Sequence, residues 1–201
     1  MLVRKLLIAT HNPGKIREYQ TLLADLPLLV TSLRAEGIVD DVEETGETFA
    51  ANARLKARAY AHQSGLWTWA DDSGLEVDAL DGRPGVYSAR YAGPSATDRD
   101  RYQKVLAELQ QYPERPRSAR FWCVVAIASP DDEIFTTEAS VEGEIIAVAR
   151  GEHGFGYDPI FYLPDLGKTM AELPAEIKNQ ISHRGKASVA AKALLQRRFQ
   201  A

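Results

Sequence analysis

The chain has 201 residues, 45% of them hydrophobic and 26% charged, which suits one globular domain with a substantial core and excludes disordered and fibrous classes. Its 24 Lys and Arg against 28 Asp and Glu give a formal net charge of -4, which disfavours a nucleic-acid partner but allows a local basic pocket for a small anion. The single cysteine, Cys123, lies in the apolar run Phe121–Ile127 and is expected to be a buried, inert thiol; no disulfide framework exists, which favours a reducing compartment. Across Met1–Ala9 the apolar stretch is too short for a signal peptide, and no run approaches a membrane span. The expected location is the cytoplasm, with no membrane partner.

Leu6–Ala9 reads as a buried strand that Asn12-Pro13-Gly14 breaks, after which Ile16, Tyr19, Leu22, Leu23 and Leu26 recur at helical spacing. Leu28–Leu33 is a second strand. Beyond a polar loop, Phe49, Ala53, Tyr60 and Ala61 stripe a helix that Gly65 ends. Leu66–Ala70 forms a strand whose end carries Asp71-Asp72-Ser73-Gly74, and the Gly- and Pro-rich stretch to Tyr91 predicts turns and short extended pieces. Thr97 caps a helix whose apolar face is Tyr102, Val105, Leu106, Leu109 and Tyr112. Pro113 and Pro116 close it. Ala119–Ala128, Ile134–Val141 and Ile145–Ala149 predict an antiparallel meander, and Ser182 starts a last helix that runs to Phe199. No repeat or linker interrupts the series. The expectation is a single α/β domain over residues 1–201, built on a mixed sheet.

Polar clusters, most of them glycine-bearing, punctuate these elements and suggest one shared ligand. Thr10-His11-Asn12-Pro13-Gly14-Lys15 stands where a strand hands over to a helix, so free backbone amides and the helix dipole would favour an anion, with Lys15 adding a charge. It lacks the pattern of a Walker loop. An ordinary turn with an exposed lysine fits the same residues. Glu43-Glu44 and Asp71-Asp72 are hard oxygen donors of the kind Mg²⁺ takes together with substrate phosphates, and in extended chain only one member of each pair need face the site. Asp-Asp is equally a turn dipeptide. Lys56 follows Glu44 on the next helix, within reach of a phosphate or of solvent. Gly154-Phe155-Gly156-Tyr157-Asp158-Pro159 sets an aromatic ring between glycines, open to stacking on a base or tucked into the core. Lys178, Ser182, His183 and Arg184 could complete a pocket of hydrogen-bond donors.

Together these stretches, with Glu43-Glu44-Thr45-Gly46, Pro84–Arg90 and Ile181–Gly185, resemble the inosine triphosphate pyrophosphatase family over nearly the whole chain. The resemblance implies an elongated mixed β-sheet flanked by helices, two lobes around a substrate cleft, and a homodimer. It implies hydrolysis of ITP, dITP and XTP to the monophosphate and pyrophosphate, which keeps non-standard purines out of DNA and RNA. Thr10, His11, Asn12, Pro13, Gly14 and Lys15 would cradle the triphosphate, with Lys56 and Ser73 also touching substrate. Glu44 and Asp72 would hold Mg²⁺, and Asp72 would accept the proton of the attacking water. Phe155, Gly156, Tyr157, Asp158, Lys178, His183 and Arg184 would frame the base. One departure is His11, which stands where many members carry a small residue. A 6-oxo purine offers an acceptor at O6 and a donor at N1 whereas adenine reverses both, so Arg184 donating and Asp158 accepting would reject ATP. Guanine shares both groups, so exclusion of GTP turns on its 2-amino group. A Maf-type pyrophosphatase of other specificity and a nucleotide-binding module without turnover are the alternatives.

Overall fold

A computed structural model of the chain describes residues 4–200, so the Met1–Val3 part of the N-terminal reading lies outside the described residues. Seven strands form one mixed sheet in the order β2-β1-β3-β4-β5-β6-β7. Lys5–Ile8 (β1) pairs in parallel with Leu29–Ser32 (β2) on one edge, placing Lys5 opposite Leu29, and with Trp67–Val77 (β3) on the other, placing Leu6 opposite Trp67. Parallel neighbours need crossovers. Pro13–Leu22 (α1) supplies the first and Phe49–Ser64 (α2) lies between β2 and β3. The Thr48 hydroxyl caps α2 by accepting from the Ala51 amide at 3.1 Å, and Gly65 terminates it at φ +68.

After β3 come Asp98–Leu109 (α3), Ser118–Ala128 (β4), Ile134–Ile145 (β5), Phe161–Leu163 (β6) and Lys168–Thr169 (β7). β5 pairs antiparallel with β6, and β6 with β7. Ala175–Ile181 (α4) and His183–Gln200 (α5) end the described chain. Two compact units result. The first comprises the described residues up to Asp72, Cys123–Ala139 and the chain from Arg184 onward, around a core that includes Leu6, Tyr19, Trp69, Ile127, Ala187 and Leu195. The second comprises Ser73–Trp122 and Ser140–His183, around Leu75, Val105, Leu109, Phe121, Ile160 and Phe161.

Two expectations need correction. The strand predicted to end at Ala70 continues to Val77 straight through Asp71-Asp72-Ser73-Gly74, because both carboxylates find cationic partners when buried and the chain has no reason to turn out. Ile145–Ala149 is not a third strand: the chain leaves the sheet after Ile145, Val148 is solvent-exposed, and the strand beyond β5 in the sheet is β6, paired antiparallel with it. Ser182 stands directly before α5 as expected, and an unexpected short helix, α4, precedes it, its closing bond running from the Ser182 amide to the Lys178 carbonyl at 2.9 Å. Seven residues behind Pro174 are too few to show a helical period.

The Thr97 cap is present as a reciprocal capping box with Asp100. We expect Thr97→Ala to lower stability by about 1 kcal/mol, read as a lower urea midpoint at an unchanged m value.

Candidate active site

The turn after β1 is organised by Asn12. Its side-chain oxygen accepts from the amides of Gly14 at 2.8 Å and Lys15 at 3.1 Å, Pro13 has no amide to offer, and the Asn12 amide itself donates to the Thr10 hydroxyl at 3.2 Å. The amides that the sequence reading left free are therefore held within the turn in this structure. His11 is exposed, 3.4 Å from Asp41. The charge that α1 brings inward is Lys15, three-dimensionally fixed by its partner: Lys15 Nζ lies 3.0 Å from Asp71 Oδ2.

In a strand, successive side chains point to opposite faces, and β3 uses this to separate its two carboxylates. Asp71 meets Lys15 and also Arg184, whose Nη2 donates to Asp71 Oδ2 at 3.2 Å while its Nη1 donates to Glu18 at 2.8 Å. The Cys123 thiol reaches the same Asp71 oxygen at 3.8 Å. Burial pushes the Asp71 carboxyl up, but Lys15, Arg184 and Lys56 outweigh it and hold the group well below the usual carboxylate range. Burial and Asp71 push the Cys123 thiol up to about 12, so it is the inert core thiol expected.

Asp72 points the other way, toward α2. Its Oδ1 is 3.3 Å from Lys56 Nζ and its Oδ2 accepts from Asn52 Nδ2 at 3.2 Å, while Lys56 also bonds Glu44. Burial, with Glu44 and Asp71 adding to it, raises the Asp72 carboxyl above its ordinary value despite Lys56 and Lys15. Burial alone would lower Lys56, but Asp72, Glu44 and Asp71 reverse that and raise it. Of the Glu43-Glu44 pair only Glu44 turns inward; Glu43 is exposed. Among the described residues no three His, Cys, Asp or Glu side chains form a ready metal cage. Two carboxylates converging on one ammonium nevertheless fit Mg²⁺, which takes one or two carboxylates and completes its shell with phosphate and water.

Ser73, half-buried, is the first residue of the second unit. In that unit Asp158 is buried and closes its own loop: its Oδ2 accepts from the Phe155 amide at 2.9 Å and from Lys178 Nζ at 2.5 Å. Lys178 Nζ also lies 4.8 Å from the centre of the Phe155 ring, a cation–π contact on one face. Tyr157 is core, its hydroxyl donating to the Ser88 carbonyl at 2.8 Å. His183 is buried and stacks on Phe121, centroids 4.8 Å apart.

The structure thus gathers Lys15 and Arg184 on Asp71, gathers Glu44 and Lys56 with Asp72, and gathers Phe155 and Lys178 on Asp158. Sequence reasoning missed Asn52 and Glu18. Each had a signal: Asn52 stands one helical turn before Lys56, and Glu18 follows Lys15 by three residues on α1, so each shares a face with a residue already singled out.

The sequence profile of the Ham1 family matches residues 6–194. The chain belongs to the Ham1 family. Ham1 relatives include the dITP/XTP pyrophosphatase of Bacillus subtilis, 49% identical over 93% of this chain and 94% of the relative, and that of Geobacillus kaustophilus, 52% identical over 92% and 91%. Among solved Ham1 structures, the HAM1 protein of Coxiella burnetii superposes with a TM-score of 0.88 at 45% identity, covering 97% of this chain and all of that one. The family resemblance and the mixed, helix-flanked sheet are both borne out. Among the described residues no helix is long and apolar enough to cross a membrane.

Asp71→Asn leaves a buried guanidinium and ammonium short of their counter-charge, and we expect it to cost about 3 kcal/mol or more at pH 7. Because the native pKa is depressed, the ionised Asp71 stabilises fully above the unfolded value of about 4, and this contribution fades as pH falls toward the native value. The urea-midpoint gap between wild type and variant is therefore expected to be widest at neutral pH and to narrow below about pH 4.

Proposed function

We propose that the chain hydrolyses ITP, dITP and XTP to the nucleoside monophosphate and pyrophosphate, clearing non-standard purines from the precursors of DNA and RNA. The observation that carries this reading is the convergence of Glu44 and Asp72 on one cation, in a chain about half identical to proteins named dITP/XTP pyrophosphatase. Glu44 and Asp72 would hold Mg²⁺, which when bound neutralises charge on the polyphosphate. Asp72 accepts the proton of the attacking water. The water oxygen bonds to the α-phosphorus, the bond from that phosphorus to the α–β bridging oxygen breaks, and pyrophosphate leaves with the electron pair. Asn52 holds the Asp72 carboxylate in place, and Lys15 and Lys56 oppose the charge that grows on the leaving group.

Thr10–Lys15 and Ser73 are assigned to the phosphate end of the substrate. Phe155–Asp158, Lys178, His183 and Arg184 are assigned to the base, where an acceptor and donors matched to a 6-oxo purine would be left unpaired by adenine. The assembly that accompanies this reading is a homodimer, and the compartment is the cytoplasm.

Incubation with Mg²⁺ and ITP, XTP, GTP or ATP, followed by separation of products, tests the reaction. We expect monophosphate and pyrophosphate from ITP and XTP, with GTP and ATP nearly untouched. Diphosphate plus phosphate would overturn the reaction, turnover of pyrimidine nucleotides instead would favour the Maf type, and binding of ITP without turnover would leave a nucleotide-binding module. Asp72→Asn is expected to reduce kcat by at least about 100-fold while the circular dichroism spectrum stays native, in line with loss of a general base.

A further inference from the structure

Asp98 opens α3 without capping it. The Thr97 hydroxyl accepts from the Asp100 amide at 3.2 Å and the Asp100 carboxylate accepts from the Thr97 amide at 2.8 Å, so the start of the helix is already served. Asp98 sends its own carboxylate elsewhere. Its Oδ2 accepts the amide of Gly156, 58 residues away in sequence, at 2.8 Å, and its Oδ1 accepts from Arg101 Nη1 at 2.6 Å. The Arg101 contact is a partly exposed pair within one helical turn and contributes little stability by itself. What it does is orient the carboxylate whose other oxygen reaches the loop.

That loop is built to be held. Gly156 sits at φ +65 with open space where a Cβ would lie, so glycine is needed there for its backbone angle and not for room. Gly154, at φ +77, is needed for room as well: a Cβ would lie 2.1 Å from Asp158 Oδ2 and 3.0 Å from Lys178 Nζ. Asp158 ties the Phe155 amide from within, and Tyr157 anchors in the core on the Ser88 carbonyl. Between these two anchors lies Gly156, whose amide Asp98 takes. A glycine in this conformation with no acceptor on its amide would have several backbone states open to it, and Phe155 and Asp158 on either side would move with it.

We propose that Asp98 is a specificity-determining positioning residue, which fixes the Phe155–Asp158 loop through the Gly156 amide and so sets which purine base the loop accepts. This rests on the assignment of that loop to the base. Asp98 touches no reacting atom in this scheme; its effect passes through the loop backbone. It should therefore change the ratio of substrates more than it changes the stability of the fold.

The test compares wild type, Asp98→Ala and Asp98→Asn as full chains, measuring kcat/KM for ITP and ATP together with hydrogen exchange across residues 154–158. We expect Asp98→Ala to lower the ITP-to-ATP ratio by about tenfold, the loss expected of one hydrogen bond to a charged acceptor, and to speed exchange at the loop. Asp98→Asn keeps an oxygen acceptor and is expected to restore most of both. Equal losses on ITP and ATP, an unchanged ratio, or an Asn variant as impaired as the Ala variant would each overturn the proposal. Wild type that fails to release pyrophosphate from ITP would overturn the proposed function instead, and unchanged exchange in Asp98→Ala would then overturn the positioning role on its own.

Discussion

Two adjacent carboxylates in the middle of a buried strand, Asp71 and Asp72, impose more on this molecule than any other pair of residues. A carboxylate removed from water is costly unless a cation and hydrogen-bond donors replace the lost hydration. Strand alternation sends the two groups to opposite faces, so one set of partners cannot satisfy both. Asp71 takes Lys15 and Arg184; Asp72 takes Lys56 and Asn52. Those requirements tie the first turn of α1, the inner face of α2 and the start of α5 to a single point on β3. They also give the two carboxylates opposite character, with Asp71 held ionised far into acid and Asp72 pushed the other way by burial and by its anionic neighbours. Groups whose environments drive their pKa values apart are the usual signature of divided labour in a site. Here Asp71 is the buried counter-ion of Lys15 and Arg184, while Asp72 is the group to which the proposed function gives the proton of the attacking water.

The second unit meets a different constraint, which is to present a short loop without a regular element to carry it. Phe155–Asp158 follows exposed glycine-rich chain and leads into a short helical turn, and its shape is kept by its own Asp158 and Tyr157 side chains together with Asp98, which reaches in from outside the loop. Lys178 closes the set: it neutralises the buried Asp158 and covers one face of Phe155. The Phe155, Gly156 and Asp158 amides and the one carboxylate of the loop are all hydrogen-bonded. A loop that holds its polar groups at fixed positions can penalise a ligand whose donors and acceptors are reversed, which a compliant loop cannot do.

The polar clusters were legible in the sequence because each breaks the local hydrophobic pattern, and their order along the chain was enough to identify the family. Helices α1, α2, α3 and α5 and the strand β1 were legible from periodicity and end signals, down to the Thr97 cap and the Gly65 terminus. β3 was cut short at Asp71 because an acidic pair reads as a turn whenever its partners are distant in sequence: Lys15 is 56 residues before it and Arg184 is 113 residues after. α4 was missed because it is shorter than two full repeats of the pattern that reveals helices. That the Gly14 and Lys15 amides are held by Asn12 is not legible in the sequence, which does not say whether Asn12 turns its side chain out to solvent or back onto its own helix.

The class of fold and the charged residues could be read from the chain alone, since composition, periodicity and local turn chemistry act over a few neighbouring positions, and the family followed from the resemblance of its ordered motifs. Which charges meet is settled by long-range packing. It assigned Arg184 and Lys15 to Asp71, Lys56 and Asn52 to Asp72, and Asp98 to the Gly156 amide, because those pairings depend on strands and helices coming together across tens of residues, and burial then leaves Asp71 and Asp72 almost no solvent with which to settle their charge.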